Sequence, residues 1–146
     1  MSLSKWSAKN TPDVEHAESE LDKFPIVKEN GRVQVPFPYK DREGYKQGLG
    51  DDEVNAAVKK DGKTRTIALA GLHAIQHSVW PKWVRFYFDE DAAKKEQPDP
   101  TVVERKGVRY IYDGHHRLTA KKLLGARSAE VNYVDLDALS PAKKAG

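Results

Sequence analysis

Residues 101 to 134 limit the fold more than any other part of the chain. Thr101 to Glu104 is rich in β-branched residues, Lys106-Gly107 marks a tight turn, and Arg109 to Tyr112 reads as a second strand. A helix is then expected from about His115 to Leu124, with Gly125 as its C-terminal stop, and Glu130 to Val134 reads as a strand. A hairpin followed by strand, helix and strand is an α/β arrangement, a mixed sheet with flanking helices. In the helix, Leu118, Ala120, Leu123 and Leu124 supply an apolar face, while Arg117, Lys121 and Lys122 stay polar.

Upstream, Thr64 to Leu69 alternates and reads as a strand running into Ala70-Gly71, and Leu72 to His77 reads as a short turn-like helix. Ser78 is a candidate cap for a further helix that tolerates Pro81 in its first turn. Trp80, Trp83, Val84, Tyr87 and Phe88 recur there at helical spacing. Core packing is the expected fate of these aromatics, because a base-stacking platform needs them exposed. The expected core is centred on Trp80, Trp83, Tyr87, Tyr112 and Leu123. Gln97-Pro98-Asp99-Pro100 breaks the chain.

The first 62 residues are less regular. Residues 1 to 24 are polar and acidic, and Phe24–Ile26 with Arg32–Pro38 forms a candidate hairpin around Glu29-Asn30-Gly31, in which Val33 and Val35 share a face. Pro36 and Pro38 restrict that strand to an edge. Residues 39 to 50 read as a flexible loop, and Asp51 to Val58 as a helix with acidic residues in its first turn. The expected organisation is an acidic, irregular N-terminal extension or arm over 1–62, a compact domain over 63–139 and a flexible basic tail over 140–146. The chain's 146 residues fit one core, domains commonly running roughly 100 to 150 residues. A hydrophobic share of 38%, under the usual figure of about 45 to 50%, agrees with part of that length lying outside the core.

The absence of cysteine excludes a disulfide framework, a thiolate zinc site, an iron-sulfur cluster and a cysteine nucleophile. No run of about 18 apolar residues occurs and residues 1 to 10 lack the order of a signal peptide, so a cytoplasmic protein without a membrane partner is expected. The net charge of +3 is uneven: residues 1–62 carry 10 Lys/Arg against 12 Asp/Glu, and residues 63–146 carry 15 against 10. A modest excess of this size suits a phosphate-bearing partner, nucleotide or nucleic acid, and also suits an ordinary mixed-charge surface.

Tyr110-Ile111-Tyr112-Asp113-Gly114-His115-His116-Arg117-Leu118-Thr119-Ala120 holds the most chemistry. A strand ends at Asp113, Gly114 permits a tight turn, and the helix opens with donors. Its free N–H groups, the positive end of its dipole and the Arg117 guanidinium converge where an anion would sit, so Gly114, His115, His116 and Arg117 form a candidate phosphate site. Lys121, one turn on, extends the positive strip towards a second phosphate. Asp113 is placed to hold a divalent cation such as Mg2+ or to accept a proton, and His115 or His116 to protonate a leaving oxygen. The plain alternatives are that Asp113 caps the helix and the histidines are ordinary first-turn residues. His73 and His77 have i, i+4 spacing that would place both rings on one helix face, yet the metalloprotease pattern needs Glu where Ala74 stands.

Leu72-His73-Ala74-Ile75-Gln76 ahead of a helix and hairpin, then Asp113-Gly114-His115-His116-Arg117 with Ala120 and Gly125, resembles the ParB/sulfiredoxin superfamily, especially its small phage and plasmid members with ParB-like nuclease domains. The resemblance covers roughly residues 64 to 138 and centres on Gly-x-x-Arg-x-x-Ala at Gly114, Arg117 and Ala120. It implies an α/β fold whose loop grips the phosphates of a nucleoside triphosphate, CTP or ATP. Members of the superfamily include CTP-hydrolysing DNA clamps, sulfiredoxins, kinases of free serine and nucleases. Sulfiredoxin chemistry is excluded because His115 stands where that branch has cysteine. The clamp role is not expected, since it needs a DNA reader and a dimerisation segment after the nucleotide domain, and the tail from Ala138 to Gly146 is too short for either. Three readings remain: hydrolysis of a nucleic acid phosphodiester or a nucleotide, the leading one; a kinase acting on a small hydroxyl substrate such as serine; and a non-enzymatic module that docks DNA or a protein partner through residues 1–62 and the Lys143-Lys144 tail.

Overall fold

The structure is a computed structural model and describes residues 13–27, 30–92 and 98–139. Expectations resting on residues 1–12, Glu29, Gln97 and the basic tail 140–146 lie outside these. Helix α1 (Val14–Asp22) is capped by the Asp13 carboxylate, which accepts from the His16 amide at 2.9 Å, and it turns Ala17 and Leu21 inward. Strand β1 (Val33–Gln34) pairs antiparallel with β4 (Ser78–Val79) as a small ribbon. Ile26 also bridges Val33, so the expected 24–38 hairpin exists as a bridge rather than a ladder.

Residues expected to be a loop instead include one helical turn, α2 (Glu43–Lys46), held down by buried Tyr45. Helix α3 (Asp51–Lys60) follows its sequence signals. Asp51, Asp52 and Glu53 fill the first turn, Lys59 and Lys60 the last, and the Glu53 carboxylate accepts from the Gly50 amide at 2.7 Å.

The main sheet has five strands in the order β2-β7-β5-β6-β3. Its strands are β2 (Lys63–Ala68), β3 (Leu72–Ala74), β5 (Thr101–Arg105), β6 (Val108–Asp113) and β7 (Ser128–Asp135). β2–β7 and β5–β6 are antiparallel, and β5–β7 and β3–β6 are parallel, so the sheet is mixed. Lys106 and Gly107, at φ 51° and 81°, make the two-residue turn that the sequence announces between β5 and β6.

Alternation along the central strands fills both faces. Val102, Ile111 and Val131 pack with Leu21 of α1, Val84 and Phe88 of α4 (Pro81–Ala92), and Leu118 of α5 (His115–Leu123). Val103, Tyr110 and Val134 pack on the other side with Tyr45, Leu49, Val54, Ala57 and Leu136. Residues 13–62, set apart above as an extension, thus contribute side chains to both faces of the core.

Three expectations are corrected. Leu72 to Ala74 is a strand, because its backbone pairs with Arg109–Ile111 of β6, and three residues carry too little periodicity to signal this. Ser78 caps nothing: it is buried in β4, where its Oγ accepts from Arg32 Nε at 2.7 Å, and α4 begins at Pro81. The core is not centred on the expected aromatics. Val84 and Phe88 are fully buried, whereas Trp83 is 45% exposed and Trp80, Tyr87, Tyr112 and Leu123 are half-buried. Spacing identified the helix, but the way α4 rolls onto the sheet determined which stripe went inward. Among the described residues no helix is long and apolar enough to cross a membrane.

Candidate functional site

The turn between β6 and α5 is fixed by Gly114. Its φ of 101° is in the left-handed region, and a Cβ there would sit 2.7 Å from Pro100 Cβ and 3.2 Å from Arg117 Nη2. Glycine is therefore required for both conformation and space. No side chain caps α5, whose opening turn is closed by a bond from the Leu118 amide to the Gly114 carbonyl at 2.9 Å. The amides of residues 115–117 stand at the positive end of a nine-residue helix.

The two histidines point inward. His115 is 5% exposed and its Nε2 accepts from the Ile75 amide at 3.1 Å; His116 Nε2 accepts from the Trp80 amide at 3.0 Å. Together they fasten α5 to the segment joining β3, β4 and α4. Burial, with a smaller contribution from His116, lowers the pKa of His115 to about 4, and burial with the Arg32 charge lowers that of His116. His115 is thus neutral at pH 7 with its proton on Nδ1, since Nε2 is an acceptor.

Asp113 points outward, and Arg117 lies largely covered beside it. The Asp113 side chain is 74% exposed, and its Oδ2 lies 3.7 Å from Arg117 Nη2. Arg117 is 14% exposed and also donates to the Pro98 carbonyl, which holds the guanidinium across the start of the helix. A cavity of about 410 Å³ opens here between this turn and α4, lined by Gln76, Trp80, Trp83, Tyr87 and residues 113–117. Arg117 also borders a second cavity of about 370 Å³ that holds Lys121, but Lys121 pairs with Asp91 at 3.6 Å. The positive strip therefore turns away from Asp113.

Other sequence candidates are scattered. With residues 72–74 in β3, His73 and His77 share no helix face: His73 lies tilted near Tyr110 with its Nδ1 buried and unpartnered, and His77 stacks on Tyr39 at 3.8 Å. Among the described residues, no group of three or more His, Asp or Glu side chains gathers around a point able to hold a metal. Asp113 is the single carboxylate lining the cavity beside α5. That carboxylate is paired with Arg117 at 3.7 Å.

Sequence reasoning missed a third cavity, of about 440 Å³, on the other side of Asp113. Arg42, Tyr45, Asp51, Asn55, Ile75, Thr101 and Tyr112 help to line it. No sequence signal links Arg42 or Asn55 to Asp113; the register of β6 against the packing of α2 and α3 brings them together.

No protein-family model and no curated protein matches the chain. A solved structure, sulfiredoxin from Arabidopsis thaliana, aligns with a TM-score of 0.45 and 20% sequence identity, over 53% of this chain and 92% of that chain.

Proposed function

We propose that the turn from Asp113 to Arg117 binds the phosphates of a nucleotide or nucleic acid and that the domain performs phosphoryl chemistry there, hydrolysis of a nucleotide or phosphodiester. The supporting observation is one cavity that joins two kinds of recognition. Its floor is the open N-terminus of α5 with the Arg117 guanidinium, and its wall carries Trp80, Trp83 and Tyr87. Phosphate meets donors on the floor, and a base meets aromatic faces on the wall. The resemblance of Gly114, Arg117 and Ala120 to the ParB/sulfiredoxin pattern points the same way.

In this reading Arg117 and the amides of residues 115–117 hold phosphate oxygens and stabilise the charge that builds on them. Asp113 is exposed and takes a proton from the attacking water. Alternatively, Asp113 would hold a divalent cation such as Mg2+, whose charge would offset that of the phosphate oxygens. His115 and His116 act as positioning residues. Each spends its Nε2 on a main-chain amide, and His115 has no second proton to give at pH 7, so neither supplies an acid in this mechanism.

Titration calorimetry with ATP, CTP and a short single-stranded DNA, each with Mg2+, tests the proposal. Binding to at least one is expected, with Arg117→Ala weakening it by about 100-fold, the size of a lost charged hydrogen-bond pair. Equal affinity in Arg117→Ala would place the phosphates elsewhere.

A further inference from the structure

The cavity that holds Lys121 adjoins the phosphate cavity, and Tyr87 and Arg117 line both. Its chemistry is different. Where the first cavity has two tryptophans, this one is lined by Thr66, Ser128 and the three acids Asp91, Asp99 and Glu130. Thr66 and Glu130 are register partners of β2 and β7, and Asp99 lies in the segment that leads into β5. Lys121 spends its charge on Asp91 at 3.6 Å, whereas Asp99 and Glu130 are exposed and form no ion pair among the described residues. Beyond Arg117 the cavity therefore offers hydroxyls, hydrogen-bond acceptors and a surplus of negative charge, a lining that repels a further phosphate and suits the hydroxyl groups of a ligand.

We propose that this cavity seats the sugar of a nucleoside diphosphate sugar, whose diphosphate lies across Arg117 and whose base lies against Trp80, Trp83 and Tyr87. The inference rests on the phosphate-binding and hydrolysis reading above, and it names the class of nucleotide that is hydrolysed. An ionised carboxylate is an acceptor at both oxygens, so it takes hydrogen bonds from two neighbouring sugar hydroxyls at once. Asp99 and Glu130 are the carboxylates free to do this. A volume of about 370 Å³ accommodates one sugar ring. Asp113 lines the aromatic cavity and not this one, so it serves the phosphorus that carries the nucleoside. Asp113 takes one proton from water, the water oxygen forms a bond to that phosphorus, and the bond from that phosphorus to the bridging oxygen breaks. The sugar phosphate leaves with the electron pair, the nucleoside monophosphate keeps the new oxygen, and the proton on Asp113 passes to solvent.

The test uses the full chain with Mg2+ and three sugar nucleotides, UDP-glucose, UDP-N-acetylglucosamine and ADP-glucose, each set against its bare diphosphate and the matching triphosphate. At least one sugar nucleotide should bind about tenfold or more tighter than its bare diphosphate, the size of one hydrogen bond to a charged group. It should also release sugar phosphate and nucleoside monophosphate. Asp99→Ala combined with Glu130→Ala should erase that tenfold advantage, with the melting temperature unchanged because both residues are exposed. If wild type binds UDP or ADP but no sugar tightens binding, if the triphosphate binds tighter than the sugar nucleotide, or if the double variant keeps the advantage, the sugar subsite is wrong and the phosphate-binding reading stands. A sugar nucleotide bound tightly but left intact overturns its assignment as substrate. If sugar nucleotides, bare nucleotides and single-stranded DNA all fail to bind wild type, both readings fall together.

Discussion

Within the five residues from Asp113 to Arg117, two sides of one turn behave in opposite ways. His115 and His116 face the interior, and each closes a hydrogen bond to a distant main-chain amide. Asp113 and Arg117, one helical turn apart, flank the entrance and lie 3.7 Å from each other. All four are polar and read as equivalent in the sequence. The contrast shows that hydrogen-bond commitment, more than burial alone, separates anchoring groups from presenting groups: each imidazole is committed to the N–H it satisfies, while the carboxylate is 74% exposed and the guanidinium, though largely covered, lines the cavity beside it.

The contrast can be broken most severely at Asp113. Asp113→Asn should reduce turnover by about 10²- to 10⁴-fold, the range for loss of a general base, with the melting temperature unchanged because the group is exposed. A melting loss comparable to a core substitution would show that Asp113 is an anchor instead.

Next comes the acid side of the stability curve. The folded-state pKa of His115, about 4, lies below the unfolded value of 6.5. The stability tied to the neutral ring is therefore complete above about pH 6.5 and is lost as pH falls towards 4, where the unfolded chain gains the proton first. Over that window the ring's share amounts to about 3 kcal/mol. His115→Gln keeps an acceptor for the Ile75 amide but cannot titrate, so denaturant midpoints followed from pH 7 to pH 4 should fall less steeply than in wild type. Parallel profiles would remove His115 from the anchoring side.

Gly114→Ala tests the hinge on which the two sides meet. The Cβ clash with Pro100 and the positive φ predict a loss of about 2 kcal/mol, read as a lowered melting temperature, with weaker phosphate binding. The smallest effect is expected at the cavity wall. Trp83→Ala should reduce nucleotide affinity by about tenfold, near the low end for one base-aromatic stack, with little change in stability because Trp83 is 45% exposed. If its removal destabilises the fold like a core residue, the wall serves packing and not recognition.

Much of the fold was legible because its signals are local. Alternation marked β2 and β-branched residues β5; glycines at 107 and 125 marked the turns; and the acidic first turn marked α3. The run from Asp113 to Arg117 was legible for the same reason, since a strand end, a glycine and a donor-rich helix start are contiguous. What escaped was set by contact at a distance. β3 is a strand because β6 pairs with it, and Ser78 is a strand residue because Arg32 reaches it. Trp83 and Phe88 both fit a helical stripe, and only the seating of α4 on the sheet sends Phe88 inward and leaves Trp83 at the cavity.

The sequence by itself determined most of the elements and the one turn where acid, imidazole and guanidinium meet, because backbone preference and i, i+4 spacing act over a few residues. Tertiary structure alone decided which of those groups face solvent, and that Arg42 and Asn55 share a cavity with Asp113. Burial and desolvation depend on what packs from elsewhere in the chain, and a side chain's protonation and freedom to react follow from them.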